Sequence, residues 1–331
     1  MIDVSDFIQL PYTSDLTEGG IAYALRSLPY AYERAGVSPH EKLRRAVANA
    51  AVELAFRRYL SAQEIPYEVK NPTPFAGPER YDVTLGGHRC ELISFLISNR
   101  KQISEVHDHP RVLLEAPALV PSDQHAGDGH ADNDLYVFAF LTGLIAASQD
   151  DLKKAIETGQ PYHLVHVMDD TWRKPFHWNP LGSLTLKSES DEQMLIEISG
   201  QDAGREFMTR TIHLPPKTKV TVDDPFYSLT SVHVRRPPVA RLGIHSPVLK
   251  EAHVIGPQEW GNIWLYGMDV YLAGYTSYRG FRRCASTIAP GSRVFQYNRT
   301  QVKNLAVPVS QLAPLGRLFE QVKDWEKGSA A

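Results

Sequence analysis

Cysteine is nearly missing from this chain. Only Cys90 and Cys284 occur in 331 residues, neither in a CxxC pair, so a disulfide framework and paired-thiol zinc or redox chemistry are excluded. Both cysteines are expected to be small buried apolar residues. No run of eighteen or more apolar residues is present, and the first thirteen residues carry Asp3 and Asp6 but no basic segment. Neither a membrane span nor a secretory signal is therefore expected, and the expected location is cytoplasmic. No HExxH zinc motif occurs either.

What is present is enough apolar material for a large interior. At 43% hydrophobic, the chain can bury a substantial core, and its length predicts about two domains. The net charge of −3 conceals an asymmetry: residues 1–180 hold 17 Lys and Arg against 24 Asp and Glu, and residues 181–331 hold 18 against 14. Between Pro225 and Leu305 there are ten basic residues and three acids, Glu251, Glu259 and Asp269. A basic second half suggests a polyanionic partner, and an acidic first half suggests a metal site.

The most informative stretch runs from Arg80 to Ile103. Gly86-Gly87 supplies a two-residue turn between Tyr-Asp-Val-Thr-Leu and an apolar return strand, Arg89 to Ile97. That hairpin would set Leu85 opposite His88, Thr84 opposite Arg89, Val83 opposite Cys90 and Asp82 opposite Glu91. Directly opposed residues share a face, so the two carboxylates would repel unless a cation lay between them. Hard oxygen ligands of this kind suit Mg²⁺ or Mn²⁺.

Ahead of the hairpin, Ser38-Pro39-His40-Glu41 reads as a capping box that starts a helix running to about Ala62. Glu53 borders its apolar stripe. Residues 1–37 read as an irregular arm with a short helix near Gly20 to Leu28, Ile65 to Lys70 as a short strand, and Asn71 to Pro78 as a loop. After the hairpin, Asp134 heads a continuous apolar run, Leu135 to Leu141, which reads as a strand buried on both faces. Gln149 to Glu157 reads as a helix and His163 to Met168 as a strand.

This order of helix, strand, acid-bearing hairpin, helix or loop and buried strand resembles the PD-(D/E)xK superfamily of nucleases over about Ser38 to Thr142. The resemblance implies a restriction-endonuclease-like α/β (α+β) domain with a mixed sheet at 38–180, following an arm at 1–37. It also implies Mg²⁺ (or Mn²⁺) held by Asp82 and Glu91 with help from Glu53, and hydrolysis of nucleic acid, DNA before RNA, in restriction or defence. A homodimer or a partner subunit is compatible with such a role. The motif lysine is absent, because Ile93 stands two residues after Glu91. Lys101, with Arg100 beside it, or Lys70 is the candidate replacement cation. The alternative is a catalytically inactive nuclease fold retained as a nucleic-acid-binding or scaffold subunit.

A rival site lies between His107 and Asp134, where four histidines and five aspartates could assemble a zinc or dinuclear centre in a hydrolase of another kind. Residues 181–331 read as a β-rich domain, a sandwich or barrel, with a helix at Gln311 to Lys327 packed on it. Its nucleic-acid-binding candidates are Arg235, Arg236, Arg241, Tyr278, Arg279, Arg282, Arg283 and Arg299. There arginines are interleaved with aromatics, as phosphate contact and base stacking require. The competing expectation makes Tyr271, Phe281 and Phe295 core residues and the arginines a solvated rim. Trp260 and Trp264 are expected in the core.

Overall fold

The two glycines at the hairpin tip adopt φ of 54° and 77°, the left-handed values that a two-residue turn demands. The expected register follows: Val83 pairs with Cys90, Thr84 with Arg89 and Leu85 with His88. These observations come from a computed structural model that describes residues 2–30, 38–69, 83–127 and 129–329. Asp82, Lys70, Asp128 and the Asn71 to Pro78 loop lie outside the described residues.

Two compact units divide the chain, and neither is a single continuous segment. The first comprises Met1–Gly20, Ala48–Leu144 and Tyr266–Ala331, and the second Ile21–Val47 and Ile145–Leu265. This interleaving differs from a division at residue 180. Pairing across long sequence separations, which leaves no local signature, is the reason.

The first unit is built on a five-stranded sheet. Its order is Ile8–Leu10, Leu265–Ser277, Leu135–Ile145, His88–Ile97 and Val83–Leu85. The hairpin pair is antiparallel, but His88–Ile97 runs parallel to Leu135–Ile145 through eight successive partners from Cys90↔Leu135 to Ile97↔Thr142. The sheet is therefore mixed. A parallel pair needs a crossover, here supplied by the helix Arg100–Asp108, whose first turn is capped by the Asn99 side chain. Leu135 to Leu141 are all buried, as their uninterrupted apolar sequence predicts.

The residues called an arm are part of this architecture, because Ile8–Leu10 pairs antiparallel with Val270 to Leu272 at the sheet edge. Of the strand expected at Ile65 to Lys70, the described residues form one bridge, Glu68 with Thr84. The terminal helix Leu315–Ser329, expected on the domain at 181–331, packs on residues of this unit. Phe319 meets Tyr59 at 5.9 Å between centroids, Trp325 meets His88 at 5.0 Å, and Lys323 donates to the Gln63 carbonyl.

Two layers cover the sheet, one on each face. The Ser94 hydroxyl donates to Asn49 Oδ1 at 2.8 Å, so the helix Pro39–Ala62 lies over the face shared by Cys90, Leu92 and Ser94. The other face carries Ile93, Phe95, Ile97, Phe138 and Phe140. It closes an apolar cluster with Val106, Leu113, Phe281 and Val307. Cys90 is buried as expected, whereas Cys284 is exposed on the helix Tyr278–Cys284.

The second unit contains two antiparallel sheets. One is ordered Lys219–Val222, Leu184–Ser188, Leu242–His245, His253–Ile255; the other is Gly261–Asn262, Leu164–Val167, Ser228–Val234, Met194–Gln201, Phe207–Leu214. The expected β-rich character holds here, and Trp260 and Trp264 are buried. No helix among the described residues is long and apolar enough to cross a membrane.

Candidate active site

Glu91 sits near the start of the long hairpin strand, and parallel pairing places it beside Tyr136. Its side chain projects from the face that carries Ile93 and Phe95. One carboxylate oxygen, Oε1, accepts a short hydrogen bond from the Gln124 amide. The other, Oε2, is buried and has no hydrogen-bond partner among the described residues. Burial pushes the Glu91 carboxyl above the usual range, against the opposing effects of the Gln124 hydrogen bond and the Arg89 charge. Arg89 stands two residues earlier on the same face, and its guanidinium donates to the Gly129 carbonyl at 2.5 Å.

The loop expected to hold a rival metal site is folded against this carboxylate. Gln124 and His125 belong to one helical turn, Ser122–His125. His125 Nδ1 lies 3.2 Å from the Tyr136 hydroxyl, and its buried Nε2 has no partner among the described residues. The Tyr278 ring stacks on His125 at 4.3 Å and on His130 at 5.0 Å, while its hydroxyl donates to the His125 carbonyl at 2.7 Å. Burial lowers the pKa of both histidines, with help from neighbouring positive charge, and raises that of the Tyr136 phenol. Asp134 accepts from the Ala131 amide at 2.7 Å, so its carboxylate closes the loop rather than reaching the hairpin.

The zinc expectation is not met among the described residues, where no group of three or more His, Cys, Asp or Glu side chains could hold a metal ion. The histidines are dispersed. His107 pairs with Asp269 at 3.0 Å, His109 caps its helix at the surface, and His125 and His130 flank Tyr278.

Two candidates from the leading site are placed elsewhere. Glu53 lies on the helix that covers the opposite sheet face, where it pairs with Arg57 and burial raises its carboxyl pKa. It is not a neighbour of Glu91, since strand alternation sends Glu91 and Ser94 to opposite sides. Lys101 is exposed on the first turn after Ile97, six residues along the strand from Glu91, or about 20 Å at the usual strand rise. The position expected for lysine holds Ile93, which packs against the apolar cluster. Among the described residues, the guanidinium charge that acts on Glu91 is that of Arg89.

The nucleic-acid-binding candidates are divided between the units. Arg235, Arg236 and Arg241 belong to the second and are exposed, but Arg241 makes a forked ion pair with Glu189 at 2.9 and 3.0 Å. Arg279, Arg282, Arg283 and Arg299 belong to the first and are exposed. The first three share one short helix, Tyr278–Cys284, whose first residue stacks on His125 and His130. Arg282 lies 3.9 Å from Asp132. Tyr278 is not a platform for bases, because its ring and hydroxyl are engaged within the protein. Tyr271 and Phe281 are core, and Phe295 packs against it, as the competing expectation held.

Sequence reasoning missed Gln124 and Tyr136. Tyr136 could be assigned only from the parallel register, and Gln124 only from the fold of its loop. Arg89 was legible, being two residues from Glu91 on one strand. Comparison with protein-family models, with curated proteins and with solved structures finds no significant match.

Proposed function

We propose that the protein is a metal-dependent nuclease with a restriction-endonuclease-like first unit, acting on nucleic acid, and on DNA in the first place. The observation that carries this reading is the orphaned, buried Oε2 of Glu91, presented by Gln124 and followed along the fold by an arginine-bearing helix. A buried carboxylate oxygen without a donor is costly unless a ligand meets it. The element order supports the reading: a helix, a bridge at Glu68, the hairpin, a crossover helix and a parallel buried strand occur in the sequence that the nuclease resemblance implies.

Glu91, with Asp82 as its partner by sequence, would hold Mg²⁺ or Mn²⁺, and Glu53 is not part of that set. A bound divalent ion polarises a phosphate and lowers the pKa of its water. The chain's own contributions are separate. Gln124 fixes the Glu91 rotamer, Arg89 places positive charge beside the carboxylate, and Arg279, Arg282 and Arg283 offer phosphate contacts.

Ile93 favours a second reading, an inactive nuclease fold that binds without cutting, since an apolar side chain fills the lysine position. Incubating single- and double-stranded DNA and RNA with Mg²⁺ or Mn²⁺ separates the two. The nuclease reading predicts metal-dependent cleavage that Asp82→Ala and Glu91→Ala abolish. Binding without cleavage by the wild type would establish the second reading.

A further inference from the structure

In the second unit a chain of hydrogen bonds links the two sheets through a pair of histidines. His166, on Leu164–Val167, and His253, on His253–Ile255, face each other with their Nε2 atoms 2.8 Å apart. His166 Nδ1 lies 3.2 Å from the Glu259 carbonyl, and His253 Nδ1 lies 3.2 Å from Asp169 Oδ2. A carbonyl and a carboxylate only accept, so both Nδ1 atoms must carry hydrogen, and the contact between the Nε2 atoms needs one more. Two neutral imidazoles hold two such hydrogens, while the three contacts need three. All three contacts are hydrogen bonds at once only when the pair holds one extra proton, beside the Asp169 carboxylate.

The surroundings divide the roles of the two rings. His166 is buried, and burial lowers its pKa despite the Glu259 carbonyl and the Glu259 charge, so this ring is the acceptor. His40, itself lowered by burial and with its Nε2 2.9 Å from the Val165 carbonyl, acts on His166 in the same direction. His253 lies nearer the surface, edge-on to Trp172 and beside the half-exposed Asp169. Loss of the proton would leave either two lone pairs opposed at 2.8 Å or a bare nitrogen facing a carboxylate.

We propose that His166, His253 and Asp169 form a proton-operated latch, closed when the pair is protonated, which fastens the edge strand His253–Ile255 of one sheet to the strand Leu164–Val167 of the other. That edge strand has three residues, of which Ile255 alone is buried, and pairs only with Leu242–His245 among the described residues. Its release would open one side of the second unit without unfolding either sheet.

Amide hydrogen exchange of the full chain, corrected for intrinsic exchange rates and followed from about pH 5.5 to about pH 8.5, tests the latch. Protection of the Leu242–His245 and His253–Ile255 pair is expected to fall about tenfold as the proton leaves, the effect of losing one charge-assisted hydrogen bond. The pair Lys219–Val222 and Leu184–Ser188, in the same sheet, serves as the unchanged reference. Asp169→Asn keeps the cap on Trp172 and should move the fall to lower pH, and His166→Phe should abolish it. The proposal is overturned if protection of the edge pair is flat with pH, if Asp169→Asn titrates like the wild type, or if the purified protein holds a divalent metal on the two histidines.

Discussion

In the unit that holds Glu91, a buried carboxylate oxygen is left without a partner among the described residues, whereas in the other unit buried imidazoles turn toward one another. His163 and His233 stack at 3.8 Å with their planes 7° apart, and His166 and His253 share a hydrogen bond. On the proposed reading, the open side of a carboxylate held by one amide is where the divalent ion would bind. His166 and His253 answer one another, whereas the buried Nε2 of the stacked His163 has, like Glu91 Oε2, no partner among the described residues. The same chain thus uses burial in two ways, to leave some polar atoms without partners and to hold His163 and His233 neutral.

The contrast breaks most visibly at the carboxylates. Glu91→Ala should reduce cleavage by about 10²–10³-fold or more, whereas Glu53→Ala, across the sheet, should change it by no more than about threefold. Initial rates on one substrate at saturating Mn²⁺ check this, and equal losses would return Glu53 to the site.

Acid should discriminate between the units next. Burial and neighbouring positive charge lower the pKa of His163 to about 3 and that of His233 to about 4, from the ordinary imidazole value of 6.5. Between those values and 6.5 the unfolded chain binds protons that the folded unit refuses, so stability is full above about pH 6.5 and is lost as pH falls. The loss is on the order of a few kcal/mol. Urea unfolding of the full chain followed through Trp260 and Trp264 should show it, and His163→Leu should flatten the profile.

The hairpin tip gives a smaller effect. A Cβ on Gly86 would come within 2.2 Å of the Trp325 ring and would be attached at φ 54°. Gly86→Ala should cost about 1–2 kcal/mol and loosen the terminal helix, which thermal unfolding and exchange at the helix would report.

The smallest expected change is a gain. Because burial raises the Glu91 carboxyl pKa, the folded protein retains a proton that the unfolded chain has lost, and stability falls as pH rises through this range. Glu91→Gln should therefore stabilise the protein by roughly 1 kcal/mol at neutral pH, with the gain shrinking as pH falls into the ordinary carboxylate range. A melting series across pH reads it, and a gain independent of pH would contradict the assignment.

Local chemistry made the hairpin register, the capped helix and the buried strand legible. Gly-Gly needs no tertiary help to turn, and Ser38 with Glu41 starts a helix by its own hydrogen bonds. The composition of the sheet was not legible. Leu265–Ser277 joins strands that lie more than a hundred residues earlier, and pairing at that distance has no sequence signature. The position of Glu53 across the sheet from Glu91 was not legible, because helical periodicity tells which face is apolar but not which side of a sheet it covers. The stacking of Tyr278 on His125 and His130 was not legible, because an aromatic among arginines reads the same whether its ring meets a base or a histidine.

Divalent-ion binding without nucleic acid is the measurement that bears most directly on the Glu91 site. Titration calorimetry with Mn²⁺ should show a site in the wild type that persists in Glu53→Ala and disappears in Glu91→Ala. Undiminished Mn²⁺ binding by a folded Glu91→Ala protein would contradict the assignment of Glu91 as a metal ligand.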